Sequence, residues 1–332
     1  MNTQSKIRPV WSWVRLVMGI VGLVALFELV DMQDVLDTLA GANLMYIFPA
    51  WVLLMAATAV KTWRWMLLLR KNHVGTTFGR LFGTYLIGAF YSQFLPGSSA
   101  GGDAMRMAES SVDTGRAVDS VSSVLIERAI GLISVVTTAA LILLIVRPGG
   151  IPFEMSLLVY GLSIAGIAGL VILHFGWFVP TFVKLMTQFK MGGVARKVER
   201  LSKAFQGDLG EPRIVGEMVL LSLLANFFSM TSYYVVLLAI SEPVSYLAFI
   251  SIVALISTLE IIPLTPGSLG IKEGAYVFFL GYLSVSEPNA LSIGLLIRFV
   301  GWTQAVLGGL ILLERGMHPS QHRRSTEPSS RL

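Results

Sequence analysis

Ten charged side chains lie inside or beside apolar stretches of this 332-residue sequence. In a bilayer, each would cost about 2.5–3.5 kcal/mol or more at the midplane if unpaired, so each should have a partner or contact water. Arginine and lysine also bind phosphate, and arginine can do so through two parallel hydrogen bonds. The ten residues are Lys61, Arg64, Asp103, Arg106, Glu127, Arg128, Glu260, Lys272, Glu273 and Arg298.

Two interpretations of these charges stay open. In the first they are structural: Asp103 pairs with Arg128 and Glu273 with Arg298, and each pair fixes a hairpin to the following span. In the second, the two arginines face a shared cavity and bind a phosphate, while the carboxylates pair with them or gate the cavity. The other candidates are assigned by position, with Lys61, Arg64 and Arg106 at the entrance and Glu127, Glu260 and Lys272 as gating or ion-pair groups.

A Pro-Gly motif occurs twice among these charges. The copies are Phe94-Leu-Pro-Gly-Ser-Ser-Ala-Gly-Gly-Asp-Ala-Met-Arg106 and Thr265-Pro-Gly-Ser-Leu-Gly-Ile-Lys-Glu-Gly274. One offset of 170 residues relates the two prolines and also relates Arg128 to Arg298, which indicates an internal repeat. Glycine permits the unusual backbone angles and close approach that a break requires. We therefore expect hairpin turns at Pro96, Gly97, Gly101, Gly102, Pro266, Gly267 and Gly270.

The composition is that of a membrane protein. Hydrophobic residues make up 54% of the chain and charged residues only 14%, whereas soluble domains average about a quarter charged. The absence of cysteine excludes disulfides and thiolate catalysis. The net charge of +5 does not indicate nucleic-acid binding, because the basic residues mostly flank apolar runs. We expect no metal or other cofactor, and no nucleotide-binding P-loop pattern is present.

The apolar runs predict an all-α polytopic membrane protein with about six full spans and two re-entrant hairpins. The first hairpin is expected because a Pro-Gly motif ends the apolar run 78–96 and the following segment 97–120 is too polar to cross lipid. The second is expected because a Pro-Gly motif interrupts the segment 246–284. Irregular backbone at depth is tolerated only inside protein or beside a cavity. The predicted spans are 12–30, 45–69, 120–146, 153–175, 214–240 and 288–313.

The distribution of basic residues predicts the topology. The segment 176–213 and the end of the chain after Arg315 are basic, so both are expected on the cytoplasmic side, together with both termini. Each half contains three full crossings, an odd number, so the repeat should be inverted. The predicted organisation is a single transmembrane bundle at 1–313, with halves of about 12–150 and 151–313, followed by a basic cytoplasmic tail at 314–332.

Four motifs resemble the flippase-like transmembrane region of lysyl-phosphatidylglycerol synthases. They are the two Pro-Gly segments, the Glu127-Arg128 pair and Arg298, within a resemblance that covers roughly residues 12–313. The chain is similar to stand-alone members that lack the synthase domain. The resemblance implies a bacterial or archaeal cytoplasmic-membrane protein associated with moving lipids between leaflets, and we expect a multi-pass protein of the bacterial cytoplasmic (inner) membrane.

We interpret the chain as a lipid translocase, a flippase or scramblase, rather than an enzyme. The headgroup of a phospholipid or polyprenyl-phosphate lipid would cross through a polar cavity between the hairpins. Two alternatives stay open. One is a non-transporting partner that positions a lipid-modifying enzyme. The other is an embedded transferase acting on a lipid phosphate, to which the acidic segment Asp31–Asp37 could contribute a metal site. A homo-oligomer is compatible with each.

Overall fold

The computed structural model describes residues 28–72, 74–94, 98–146, 152–176, 179–188, 211–260 and 265–317, together with a few isolated positions. Within these residues the chain is helical and contains no strand, which confirms the predicted all-α fold. The helices of this part of the chain are α1 (Met32–Gly41), α2 (Ile47–Lys71), α3 (Phe78–Phe94), α4 (Ser98–Thr114), α5 (Ala117–Val146), α6 (Phe153–Phe175), α7 (Val179–Gln188), α8 (Pro212–Ala239), α9 (Tyr246–Leu259), α10 (Ile271–Gly281) and α11 (Glu287–Met317).

Five helices in the described ranges are long and apolar enough to cross a bilayer. Their spans are Leu44–Lys71, Asp119–Val146, Phe153–Ile172, Arg213–Ala239 and Glu287–Gly316, which correspond to five of the six predicted spans. Most of the predicted first span at 12–30 lies outside the described residues, as do most of the basic segment after α7 and all of the tail after Met317. The chain is a multi-pass membrane protein.

Helices α3 and α4 form an antiparallel hairpin. Arg80 near the start of α3 pairs with Asp113 near the end of α4. Closer to the turn, Gly102 lies so near Gly88 that an added Cβ would collide with the Gly88 carbonyl. Each helix has 17 residues, fewer than the roughly 20 that a bilayer crossing needs. The predicted turn residues Pro96 and Gly97 lie outside the described residues.

Helices α9 and α10 flank the second Pro-Gly motif and pack against each other. Most side chains of α9 are buried, and a helix that is apolar on every side belongs in a core. The backbone between the helices takes positive φ angles of 56° at Gly267 and 75° at Gly270, which glycine adopts without steric cost. Glu273 accepts a hydrogen bond from the Gly270 N–H at 2.9 Å and so satisfies one donor at the start of α10.

Helices α2 and α8 occupy equivalent places in the two halves and run antiparallel. At one end, Ser232 donates a hydrogen bond to the Ala50 carbonyl at 2.6 Å. At the other end, Arg64 Nη1 donates to Ser222 Oγ at 2.6 Å. Equivalent helices that cross a bundle in opposite directions are the arrangement that an inverted repeat requires.

Two further helix pairs pack across the two halves. Helix α3 packs against α11 of the second half, and α9, its counterpart, packs against α5 of the first half. The α3–α11 contact is close because Gly308 lies against the backbone of Leu86 and Gly309 against the ring of Phe90. Small residues at such contacts let membrane helices approach closely. This reciprocal packing joins both halves into one bundle.

Candidate anion-binding cavity

Glu127 of α5 lies at the centre of a buried charge cluster. Its Oε1 accepts a hydrogen bond from Arg64 of α2, and its Oε2 accepts one from Arg106 Nη2 of α4 at 3.0 Å. All three side chains are almost fully buried. The hydroxyl of Tyr85 on α3 also donates to Oε1 at 3.4 Å. One carboxylate therefore connects four helices.

Neighbouring residues accommodate the two buried arginines, one through space and the other through aromatic contacts. Gly131 lies one turn after Glu127, and a Cβ there would come within 2.9 Å of Arg64 Nη2. The Arg106 guanidinium lies over the rings of Trp65 and Tyr85, at 4.5 and 4.0 Å from their centroids. Cations are attracted to aromatic faces, and more strongly away from water.

Asp103 of α4 lies between two arginines. Its Oδ1 accepts a hydrogen bond from Arg106 Nη1 at 3.3 Å, and its Oδ2 is 3.3 Å from Arg128 Nε. The predicted Asp103–Arg128 pair is therefore present. The Arg128 side chain nevertheless remains 36% exposed, so this pair is open on one side.

Two adjoining polar cavities, of about 150 and 220 Å³, lie beside Arg128. The smaller reaches the Glu127 cluster, and the larger reaches Glu260 at the end of α9. Among the described residues, no carboxylate oxygen lies within 4 Å of the Lys61 ammonium. The residues that line both cavities are Lys61, Arg128, Leu132, Val135 and Asn226. We refer to the two together as the polar cavity.

Arg298, the counterpart of Arg128, has different surroundings. Its Nε donates to Glu273, and its two Nη groups donate to the carbonyls of Gly267 at 2.8 Å and Ser268 at 3.1 Å. The Arg298 side chain is 5% exposed, and that of Glu273 is fully buried. The predicted Glu273–Arg298 pair is present. The prediction that Arg298 shares a cavity with Arg128 is wrong, because Arg298 is not among the residues that line the polar cavity. Its guanidinium instead binds backbone carbonyls that the break in the helix leaves without partners.

Some of the other predicted site residues have the expected contacts, and others lie elsewhere in the structure. Arg64 and Arg106, expected at an entrance, lie inside the Glu127 cluster, because the buried carboxylate requires cationic partners. Lys272 and Glu260 pair with each other at 3.1 Å. Gly101 and Gly102 were expected in the turn but lie within α4, because that helix already begins at Ser98. Gly102 allows α4 to approach α3 closely, and Pro266, Gly267 and Gly270 lie at the second break.

Residues missed in the sequence complete the site. Trp65 and Tyr85 hold Arg106 but resemble the many other aromatic residues of the spans. Asn226 of α8 lines the polar cavity and donates to Ser134 at 3.0 Å and to Thr138 at 2.9 Å. An asparagine inside an apolar span was a detectable signal, because polar groups in membrane helices usually bond across helices.

The second Pro-Gly segment packs against the end of α3. An added Cβ at Gly267 would lie 3.1 Å from Oε1 and 3.3 Å from the carbonyl oxygen of Gln93, in the last turn of α3. The broken segment of the second half thus packs directly on the end of the first hairpin. The second break and the end of α3 are therefore in direct contact.

A larger apolar groove adjoins the polar cavity. It has a volume of about 690 Å³, and its walls come mainly from α5, α6, α9 and α10. Leu132 lines both the groove and the polar cavity. On α9, Thr258 lines the groove and the adjacent Ser257 lines the polar cavity. An apolar space and a cationic space therefore share a boundary.

The fold and the site define a class of protein: a multi-pass helical membrane protein with an internal cavity lined by Lys61 and Arg128. More particularly, the chain belongs to the family of the lysylphosphatidylglycerol synthase TM region, whose model matches residues 12–308. It is also similar to a UPF0104 membrane protein of Methanothermobacter thermautotrophicus, with 23% identity over 319 residues, covering 89% of this chain and 93% of that protein. The family resemblance found in the motifs is confirmed.

Proposed function

We propose that the protein moves a phosphate-bearing lipid between leaflets, with the headgroup in the polar cavity and a hydrocarbon chain in the apolar groove. The observation that carries this proposal is the shared boundary at Leu132 between the groove and a cavity lined by Lys61 and Arg128. An amphiphile needs both kinds of surface side by side. Lipid-related membrane function also fits the family.

Arg128 can exchange its partner for a phosphate. Its described ion pair is a single contact of 3.3 Å with Asp103, and Asp103 keeps Arg106 as a second partner. Arginine binds phosphate through parallel hydrogen bonds, whereas lysine offers a compact charge with rotatable donors. Lys61 and Arg128 therefore form the headgroup site, and Asp103 holds the arginine when the site is empty.

Movement of the two hairpins would open and close the path. They contact each other at Gln93 and Gly267, and the positive φ angles at Gly267 and Gly270 mark a segment without regular helix. Hinges are a few positions at the ends of elements that absorb backbone rotation. We assign this role to the glycines of the second break, with both hairpins entering the membrane without crossing it.

Transport is preferred over catalysis because the acidic segment Asp31–Asp37 has a structural role. Asp31 accepts a hydrogen bond from the Gln33 N–H at 2.9 Å and caps α1. Asp37 accepts one from Gln33 Nε2 at 3.4 Å. These contacts explain the acids as helix-capping and surface groups.

The deciding experiment measures transbilayer movement of labelled phospholipids in proteoliposomes. The Lys61→Ala/Arg128→Ala variant should move lipid at least roughly tenfold more slowly than the wild type. Hydrogen bonds to charged groups contribute about 1.5–3 kcal/mol each, and the variant loses those made to the headgroup. Arg213→Ala/Lys203→Ala is the matched control, since both cations belong to exposed pairs on helix surfaces. Equal rates in wild type and cavity variant would exclude the polar cavity as the path. An inactive wild type, with every lipid and gradient, would favour the partner or transferase alternative.

We also propose a location in the bacterial cytoplasmic membrane with both termini in the cytoplasm. The protein contains no cysteine, so single cysteines report position cleanly. An impermeant thiol reagent added to intact cells should label Ser241→Cys beyond the end of α8 but not Arg213→Cys at its start, and both residues are exposed. Permeabilised cells should label both. The reverse pattern would invert the proposed orientation.

A further inference from the structure

We infer that the polar cavity selects lipid headgroups that end in a phosphate monoester, with about two negative charges, over singly charged phosphodiesters. This inference rests on the proposed function and names the substrate class of the same site. It follows from the balance of charges, the unused hydrogen-bond donors and the size of the polar cavity.

The charged groups around the polar cavity do not balance. Arg64 and Arg106 share Glu127, Arg128 and Arg106 share Asp103, and Lys272 pairs with Glu260. Lys61 has no such partner among the described residues. The described groups are five cations and three carboxylates, an excess of two positive charges: Lys61, Arg64, Arg106, Arg128 and Lys272 against Asp103, Glu127 and Glu260.

An excess of two charges inside a membrane calls for an anion of similar charge. Uncompensated charges in the hydrocarbon region are costly, so charged side chains there are paired or face water. The second half shows the balanced case, because Arg298 and Glu273 form a closed pair of one cation and one anion. A phosphate monoester carries about −1.5 to −2 charges at pH 7 and therefore compensates the excess better than a phosphodiester.

The hydrogen-bonding groups point to the same ligand. Arg64 and Arg106 line the smaller space, and Ser229 lines the larger one. Lys61 adds three donors and Arg128 adds the Nη groups that its contact with Asp103 leaves out. A terminal phosphate presents three strong acceptor oxygens, and esterification of one of them removes both a charge and an acceptor.

The polar cavity is large enough for such a group. A water molecule occupies about 30 Å³ of liquid, so spaces of about 150 and 220 Å³ hold a phosphate together with several waters. Lys61 on α2 and Arg128 on α5 line both spaces and can contact the same ligand from two helices. The ester oxygen would then lead toward the groove at Leu132.

The test compares two lipids with identical chains, phosphatidic acid and its methyl ester phosphatidylmethanol, which differ by one methyl group and one charge. Binding is measured with the purified full chain in nanodiscs of phosphatidylcholine. We expect phosphatidic acid to bind roughly tenfold more tightly, the effect of one additional charge-assisted hydrogen bond. Lys61→Gln should reduce this preference several-fold, and Lys61→Arg should restore it. Lys203→Gln, which removes an exposed lysine, should leave the preference unchanged.

The outcomes separate this inference from the proposed function. Equal binding of the two lipids, or a preference that survives Lys61→Gln in a folded protein, would overturn the selection of doubly charged headgroups. Competition by soluble glycerol phosphate as strong as that by phosphatidic acid would assign the site to free phosphate instead. Translocation of phosphatidylmethanol at the same rate as phosphatidic acid would leave the transport proposal standing and reject this one. Selective binding without transport would reject the transport proposal and leave the selection of doubly charged headgroups standing.

Discussion

The two halves of the molecule contain the same acid–arginine pair in different surroundings. In the first half, Arg128 contacts Asp103 at 3.3 Å and remains open to the polar cavity. In the second half, Arg298 is buried, bound to Glu273 and to two carbonyls of the broken segment. The offset of 170 residues relates both members of the pairs. Equivalent positions in the repeat thus have different surroundings.

This difference shows how a repeat can keep its architecture while its sites diverge. Both pairs connect a hairpin to the following long helix, α4 to α5 and α10 to α11. Only the first half adds Lys61, Arg64, Arg106 and Glu127 around its pair. A buried ion pair is weak evidence for stability, whereas removal of one partner is strongly destabilising. The second pair fixes the break, and the first pair presents a cation to the polar cavity.

The largest expected effect separates the two arginines by stability. Arg298→Ala should destabilise the protein by about 3–5 kcal/mol, because it leaves the fully buried Glu273 without its cation. Arg128→Ala should cost about 1 kcal/mol or less, because its pair is partly exposed and Asp103 retains Arg106. Unfolding of both variants in mixed micelles by denaturant measures the difference.

The double variant Arg298→Met/Glu273→Leu is the control for this comparison. Replacing both members of a buried pair by apolar residues is often close to neutral, so most of the lost stability should return. Equal destabilisation by Arg128→Ala and Arg298→Ala would contradict the assignment of separate roles.

The contact between the halves should be sensitive to a single methyl group. Gly308→Ala places a Cβ against the backbone of Leu86, which cannot move aside as a side-chain end could. Overpacking of this kind costs roughly 1–3 kcal/mol. Gly161→Ala on α6 is the matched control, since its Cβ would meet no atom within 4 Å. Thermal unfolding in detergent should show a lower midpoint for the first variant alone, and a similar midpoint for both would argue against the close α3–α11 contact.

Much of the fold was predictable because it depends on local patterns. Apolar length alone predicts the crossings, and five of the six predicted spans correspond to long apolar helices of the structure. The constant offset of 170 residues relates Asp103–Arg128 to Glu273–Arg298 in the sequence, and both pairs are present in the structure. A pairing that repeats in sequence is detectable without knowing how the helices pack.

The parts that could not be predicted depend on helix rotation and packing. The rotation of a helix about its own axis decides whether an arginine faces a cavity or a broken segment of backbone. Composition does not specify this rotation, and for that reason the sequence predicts a cavity shared by Arg298 and Arg128. Gly102 looks like a turn residue, yet it lies within α4 and lets that helix approach α3 closely. The role of Tyr85 follows from its approach to Arg106 across two helices.

The smallest expected effect concerns two equivalent glycines, Gly131 and Gly301. Alanine favours a helix over glycine by about 1 kcal/mol, and a Cβ at Gly301 would meet no atom within 4 Å. Gly301→Ala should therefore stabilise the protein by up to about 1 kcal/mol. At Gly131 the same Cβ would lie 2.9 Å from Arg64 Nη2, so the guanidinium must shift away from Glu127 and the gain should disappear. Unfolding midpoints of the two single variants decide the matter. Equal stabilisation by both would mean that Arg64 moves freely and that the first-half cluster is not fixed by its packing.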